Sequence, residues 1–198
     1  MGIAMRIETE RLVLREFTAD DEPTMLAIRS DPEFGRYYDP SIATPEMTHH
    51  LHGWFIDWQR EQPRRRFQLA ITLRGSDEPI GSVGIRRKPE NEFEADIGYE
   101  LHIDRWHRGY ATEAARAVVA YGFEALGLHR VSSWCIAENA ASAQVLERAG
   151  LRLEGRLRDN EQFRGRWWDT LLFGVLAEEW ERSAGASALR RGEHAFDK

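Results

Sequence analysis

The stretch DRWHRGYATEAARAV, residues 104–118, places a positive charge and a lone glycine at the start of a helical pattern. The first turn of a helix carries N–H groups without a partner inside the helix, together with a partial positive charge. Gly109 has no Cβ, so a ligand oxygen can come close to the backbone, and Arg108 adds a full charge. The small Ala111 and the hydroxyl of Thr112 leave room and one further donor. These features are suited to a bound pyrophosphate.

Several donors must act together for such a site to hold a ligand. Each charge-assisted hydrogen bond contributes on the order of 1.5–3 kcal/mol, whereas the helix dipole alone gives about 0.3–1 kcal/mol per charge. The alternative is that Gly109 only makes a turn into an ordinary helix. The sequence contains neither GxGxxG nor GxxxxGK[ST]. Rossmann-type dinucleotide binding and P-loop chemistry are therefore disfavoured.

Two elements must position this loop. The stretch FEADIGYELHI, residues 93–103, predicts a strand that ends just before the loop. Apolar residues at three- and four-residue steps from Ala111 predict a helix that ends at Gly127. If the strand alternates regularly, Glu100 lies on the face opposite to Tyr99. Glu100 then lies either in a site or in solvent.

The rest of the chain predicts one α/β (α+β) domain over residues 1–182. The order of the elements indicates a mixed central sheet of about six or seven strands flanked by helices. Residues 183–198 lack a strong apolar period and are expected to form a mobile tail. The predicted strands cover 10–17, 64–73, 80–87, 93–103, 129–136, 151–158 and 167–176, and the predicted helices 21–30, 45–61, 110–126 and 138–151.

Composition indicates a soluble globular protein, with 42% hydrophobic and 30% charged residues in a chain of 198. With 27 Lys and Arg against 33 Asp and Glu, the net charge of −6 does not favour a nucleic-acid partner. No secretory signal and no long apolar run is visible, so no membrane partner is expected. A single cysteine, Cys135, is consistent with a reducing cytoplasm and is expected to be a buried apolar thiol.

Three histidines, His49, His50 and His52, lie close together on a predicted helix and suggest a metal site. No acidic partner at a known ligand spacing follows them. A solvated helix face is therefore the favoured interpretation, and no metal is predicted.

Four segments carry a resemblance to a known family. IGYELHIDRWHRGYATEA resembles the acetyl-CoA-binding motif of the GNAT superfamily of N-acetyltransferases, in the form found in its RimJ/RimL-type branch. TERLVLREFTADD, ENAASAQVLERAGLRLEGRLRD and GRWWDTLLFGVL resemble other parts of that branch, in the same order, over about residues 8–178. The wider superfamily prefers Gln or Arg at the position of Trp106, but the branch often has Trp there.

The resemblance implies a single GNAT-like domain that binds acetyl-CoA. The backbone of Leu101 and Ile103 is expected to pair with the pantetheine arm. Asn139 is expected to hydrogen-bond the same arm, beside its ordinary role as a helix cap. The loop expected to hold the pyrophosphate consists of His107, Arg108, Gly109, Tyr110, Ala111 and Thr112.

Acetyl transfer to an amine raises two proton questions. An alkyl ammonium, with a pKa of about 10.4, is almost fully protonated at neutral pH, whereas an α-amine near 7.7–8.0 is partly neutral. Ser142 matches a serine of the branch and is a candidate donor to the leaving thiolate, or else a local cap of its helix. Glu161, where some members have a catalytic glutamate, competes with Glu100 as the base. Both carboxylates have the alternative role of orienting the amine through water.

The sequence therefore predicts an acetyl-CoA-dependent N-acetyltransferase that acts by direct attack in a ternary complex, without a metal. The acceptor is a primary amine, on a protein N-terminus or on a small molecule. Two alternatives stay open: a catalytically silent CoA-binding regulatory module with the same fold, and a purely structural α/β scaffold. A homodimer is expected because dimers are common among relatives.

Overall fold

The computed structural model describes residues 5–183, which form one sheet in the order β1-β2-β3-β4-β5-β6-β8-β7. Neighbouring strands are antiparallel, except for the parallel pair β5 and β6. The mixed α/β architecture predicted from the sequence is confirmed. The strands are β1 (Arg6–Glu8), β2 (Leu12–Glu16), β3 (Arg66–Leu73), β4 (Pro79–Lys88), β5 (Asn91–Leu101), β6 (Arg130–Ile136), β7 (Arg152–Phe163) and β8 (Arg166–Leu176).

Helices cover both faces of the sheet. Helices α3 and α4 bury apolar residues such as Val118 and Leu146 against one face, in the main core. Helices α1 and α2 cover part of the other face, where Met25 and Phe55 pack with Phe17 of the chain after β2. The result is a helix–sheet–helix arrangement. The helices are α1 (Glu22–Arg29), α2 (Pro45–Trp58), α3 (Tyr110–Glu124), α4 (Ala140–Arg148) and α5 (177–183).

Helix ends agree with the sequence signals. Thr44 caps α2, its hydroxyl accepting the N–H of Met47 at 3.1 Å. Asn139 caps α4. Gly150 has φ 104°, and the Leu151 N–H donates to the carbonyl of Leu146 at 3.0 Å, as in a Schellman motif.

Three differences from the predictions affect the sheet. The sheet has eight strands, because Arg6–Glu8 adds a strand too short to show a period. The strand predicted to reach Ile103 ends at Leu101, because a 3-10 turn begins at Ile103. Strand β7 runs on to Phe163, so Glu161 lies within a strand rather than after one.

The predicted tail, 183–198, lies outside the described residues except for residue 183, which is part of α5. The domain boundary at 182 stays a prediction. Between residues 5 and 183, none of the helices combines the length and the apolar character that crossing a membrane requires.

Candidate active site

The sheet opens between its two parallel strands. Pairing of β5 with β6 covers only Glu94–Asp96 against Arg130–Ser132. The Ser133 hydroxyl then donates to the Ile97 carbonyl at 2.9 Å. Beyond Ile97, no strand within residues 5–183 pairs with β5 on the side that faces β6. A strand edge in the middle of a sheet is thus left with unpaired main-chain groups.

The hydrogen bonds of β5 indicate which of its main-chain groups face this opening. The His102 N–H donates to the carbonyl of Ile80, toward β4, at 2.9 Å. Main-chain groups of an antiparallel strand alternate in direction, so those of Leu101 and Tyr99 point the other way, into the opening. The Leu101 carbonyl accepts the Trp106 indole N–H at 2.9 Å. Within residues 5–183, no neighbouring strand pairs with the Leu101 N–H or with the two main-chain groups of Tyr99 on this side.

One sequence expectation for this edge is wrong, and one residue of the edge was missed. Ile103 lies beyond the strand, and its carbonyl accepts the Trp106 N–H at 3.0 Å. The expectation that Ile103 continues the strand edge is therefore wrong. Tyr99 was missed for this role, although it has the same parity as Leu101 and the alternation could have identified it.

The loop after β5 has the backbone that an anion site needs. His107 and Gly109 have φ of 58° and 79°, and the first hydrogen bond of α3 joins the Glu113 N–H to the Gly109 carbonyl at 3.0 Å. Within residues 5–183, the N–H groups of 108–112 have no protein acceptor. Most of the loop is exposed. The structure thus brings the predicted pyrophosphate residues together as a row of free donors.

A clamp formed by Thr9, Arg11 and Glu113 fixes this loop. The Glu113 carboxylate accepts the Thr9 hydroxyl at 2.7 Å, the Arg11 N–H at 2.8 Å and Arg11 Nε at 2.7 Å. Arg11 Nη1 donates to the Arg108 carbonyl at 2.9 Å. Burial would raise the pKa of Glu113, but the bonds from Thr9 and Arg11 outweigh it and lower that pKa. The sequence reasoning missed the clamp because its members lie about a hundred residues apart.

Helix α4 brings Asn139 and Ser142 to the same opening. Asn139 Oδ1 accepts the Ser142 N–H at 3.1 Å, which leaves Nδ2 without a protein acceptor among residues 5–183. The Ser142 hydroxyl is 2.9 Å from Tyr99 Oη. Burial raises the pKa of Tyr99, so its hydroxyl keeps its proton. The Ser142 hydroxyl therefore contacts the strand rather than capping its own helix.

Cys135 lies in the same region. It is a buried free thiol, as predicted. Burial raises its pKa to about 11, against a weaker opposing effect of Ser142. At neutral pH it is a thiol and not a thiolate.

A cavity of about 450 Å³ lies on the other face of β5. Its floor comes from the three central strands, through Gln68, Arg86, Gly98 and Glu100. Its walls are mostly apolar and come from α2 and the chain before it. The wall residues include Tyr38, Ile42, Met47, Leu51, Trp54, Phe55 and Trp58.

Glu100 is held at the edge of this cavity by Arg29 of α1. The two side chains form an ion pair, and Arg29, only 5% exposed, also donates to the Ile42 carbonyl at 2.6 Å. The second carboxylate oxygen of Glu100, Oε2, has no protein donor among residues 5–183. Burial and the neighbouring Glu100 raise the pKa of Tyr38. One oxygen of Glu100 is thus fixed and the other is available to a ligand.

The structure does not bring the two candidate bases together. Glu161 stands opposite Trp168 in the β7–β8 hairpin and is not among the described residues that line the cavity. Glu100 does line it. The position of Glu100 therefore favours it as the carboxylate that meets an amine.

The histidines of α2 have separate environments. His52 is buried, with a ring nitrogen 2.9 Å from the Thr18 carbonyl. The expectation of a solvated face is wrong for His52, because α2 packs this side against the chain after β2. His49 is exposed, and its ring lies 2.6 Å from Glu22. No trio of His, Cys, Asp or Glu within residues 5–183 is arranged to hold a metal ion.

Comparisons with known proteins show the family and the fold. Residues 11–152 match the model of the acetyltransferase (GNAT) domain. The uncharacterized N-acetyltransferase YoaA of Bacillus subtilis (strain 168) is 32% identical over 171 residues, which is 86% of this chain and 96% of that protein. An acetyltransferase (GNAT family) from Bacillus anthracis has a TM-score of 0.76 at 28% identity, covering 88% of this chain and 99% of that one.

A fold likeness extends to another solved structure. Mycobacterium smegmatis RimJ in complex with CoA-disulfide has a TM-score of 0.73 at 23% identity, covering 89% of this chain and 88% of that one. At this identity the likeness shows the fold alone.

Proposed function

The chain belongs to the family of GNAT acetyltransferases, and from this premise we propose that it moves an acetyl group from acetyl-CoA to a primary amine in a ternary complex. One observation carries the proposal. Adjacent residues of β5 face opposite sides of the sheet at its opening, where Tyr99 contacts Ser142 and Glu100 lines the cavity. A donor-rich cofactor site and an acceptor cavity thereby meet at one strand.

The residues present fit acetyl-CoA, which supplies an acetyl group activated as a thioester. The main-chain groups of Tyr99 and the N–H of Leu101 suit the amides of the pantetheine arm, as an added strand would. Asn139 offers its Nδ2 to the same arm. Residues 108–112 offer a row of N–H donors to the pyrophosphate, and Arg108 adds a charge that has no acidic partner within residues 5–183.

Glu100 is the residue assigned to the amine. Its free oxygen accepts a hydrogen bond from the acceptor nitrogen and takes the proton that this nitrogen loses when the C–N bond forms. Arg29 fixes the carboxylate during this step, because it holds the other oxygen. General base help of this kind contributes about 10²–10⁴ in rate.

Ser142 is assigned to the leaving group. Its hydroxyl lies beside the opening and donates a hydrogen bond to the sulfur as the C–S bond breaks. Tyr99 contacts that hydroxyl and holds its position. A hydrogen bond to a developing charge is worth on the order of 1.5–3 kcal/mol.

Within the family, we assign the chain to the RimJ/RimL-type branch, on the four segments that resemble it. Its acceptor is then a primary amine, on a protein N-terminus or on a small molecule. The net charge of −6 supports an acceptor other than nucleic acid. A homodimer is the expected assembly.

Release of CoA thiol from acetyl-CoA, measured with a panel of peptides, amino acids and alkyl amines, tests the proposal. We expect release with at least one amine. Acetyl-CoA binding without release from any amine would contradict transfer and favour a catalytically silent CoA-binding module. If acetyl-CoA fails to raise the melting temperature, a structural scaffold is favoured instead.

A further inference from the structure

The charged side chains on the floor of the cavity leave N–H donors of one arginine without a partner within residues 5–183. Three charged side chains line it: Arg29, Arg86 and Glu100. Arg29 is paired with Glu100. Arg86 donates Nε and Nη2 to Asp96 at 3.0 and 2.6 Å, and Nη1 to Gln68 at 3.3 Å. These bonds leave further N–H groups of its guanidinium for a ligand.

Gly98 allows Arg86 to lie flat across β5. A Cβ on Gly98 would lie 2.9 Å from Arg86 Nη2, so a larger residue would displace the guanidinium. The guanidinium therefore covers the position two residues before Glu100 on the same face. Positions two apart along a strand are separated by about 6.6–6.8 Å. The Arg86 guanidinium, which can bind an anion, and the Glu100 carboxylate, which can bind an amine, are thus close neighbours.

This spacing limits the ligand. A hydrogen bond between charged groups spans about 2.7–2.9 Å. One such bond to Glu100 and one to Arg86 can be made together by an amine and an anion that lie a few bonds apart. The spacing therefore favours an amine and an anion that lie close together in one small molecule, as they do in an α-amino acid.

The walls of the cavity determine which side chain the ligand can carry. Tyr38, Leu51, Trp54 and Trp58 present aromatic and aliphatic surface opposite the charged floor. A volume of about 450 Å³ is within the usual range of about 300–1,000 Å³ for small-molecule sites. An apolar side chain gains by leaving water for such a surface.

We propose, resting on the acetyl transfer proposed above, that the acceptor is an α-amino acid with a free carboxylate and an apolar or aromatic side chain. The carboxylate binds Arg86, and the amine binds Glu100. The amine nitrogen forms a bond to the acetyl carbon and passes a proton to Glu100, while the C–S bond breaks and the leaving thiolate, hydrogen-bonded by Ser142, takes a proton from water. The products are the N-acetyl amino acid and the CoA thiol.

A matched series of acceptors tests this with the unmodified protein. Thiol release is measured with tryptophan, tryptophan amide and tryptamine, with the corresponding methionine compounds, and with a short peptide. We expect kcat/KM for the free amino acids to exceed that for the amides about tenfold or more. The amide's amine is less basic and more often neutral, so amine basicity alone would produce the opposite order.

Variants assign the preference to one residue. Arg86→Gln should abolish the preference for the free acid by lowering its kcat/KM about 10- to 100-fold, with little effect on the amides. Arg86→Lys keeps a positive charge and should retain part of the preference for the free acid. Arg60→Gln removes an arginine that is 78% exposed and outside the cavity, and should change nothing.

Two results would overturn the inference while leaving acetyl transfer in place. One is a wild-type protein that acetylates amides, tryptamine or peptides as fast as free amino acids. The other is an Arg86→Gln variant that keeps the preference for the free acid. If that variant does not fold, the wild-type series decides. No release with any amine refutes the proposed function itself, and the inference with it.

Discussion

The two halves of the site are built in different ways. The proposed cofactor half uses main-chain groups from one short stretch, 108–112, and from the adjoining edge of β5. The acceptor half uses side chains from segments far apart in the chain, such as Arg29, Arg86 and Glu100. Main-chain binding depends on backbone shape and tolerates changes of side chain, whereas selectivity in a small-molecule cavity comes from a few well-placed side chains. Changes in the first half are therefore expected to alter cofactor affinity, and changes in the second the choice of acceptor.

The largest effect should come from the acceptor half. Glu100→Gln removes the proton acceptor and should lower turnover about 10²–10⁴-fold, while the acetyl-CoA dissociation constant stays unchanged. The loss should be greater for alkyl amines than for α-amines, because an alkyl ammonium gives up its proton less readily. Steady-state kinetics and acetyl-CoA titration measure both quantities.

Glu161→Gln is the variant to compare with Glu100→Gln. Because Glu161 lies outside the cavity lining, we expect a smaller loss of turnover. A larger loss in Glu161→Gln than in Glu100→Gln, with both proteins folded, would transfer the role of base to Glu161.

A smaller effect, on the cofactor half, is expected from Gly109→Val. Gly109 has φ 79°, and an added Cβ would lie 3.3 Å from Arg11 Nη2, so the loop must shift and lose donors to the pyrophosphate. We expect the acetyl-CoA dissociation constant to rise about 10- to 100-fold, equivalent to one lost charge-assisted hydrogen bond.

Gly127→Val is the matched control for backbone strain. Gly127 also has positive φ, 63°, and nothing lies within 4 Å of its Cβ position. Equal loss of acetyl-CoA affinity in both variants would show that strain, and not the loop, controls binding.

The smallest effect should come from the clamp. Glu113→Gln weakens the bonds to Thr9 and Arg11 and should lower the free energy of unfolding by about 1–3 kcal/mol at pH 7. The pKa of Glu113 is lowered by folding, so its stabilisation is present above the usual glutamate value of about 4.3 and is lost as the pH falls below it.

Denaturant unfolding of the wild type and of Glu113→Gln at several pH values measures this contribution of Glu113 to stability. The difference between wild type and Glu113→Gln should shrink as the pH falls from 7 toward 3. A difference that stays constant would contradict the assignment of a lowered pKa to Glu113.

Much of the fold could be predicted because its signals are local. The period of α3, the cap at Asn139 and the stop at Gly150 each depend on a few consecutive residues. The donor loop could be predicted for the same reason, since Arg108, Gly109 and the start of α3 are adjacent.

The acceptor half could not be predicted in this way. Arg29 reaches Glu100 across 71 positions of the chain, and Arg86 faces the cavity only because it crosses Gly98 on the next strand. His52 is buried through contacts with the chain after β2. None of these contacts has a sequence period, so only the tertiary structure reveals them.

The interrupted pairing of β5 with β6 has a further consequence. Three register pairs are the only strand-to-strand seam, within residues 5–183, between the five-stranded and three-stranded halves of the sheet. A ligand that bonds along the open part of β5 acts as a surrogate strand. Bound coenzyme A would then join the two halves of the sheet as well as take part in the reaction. The stability of the whole protein would rise with the concentration of this ligand.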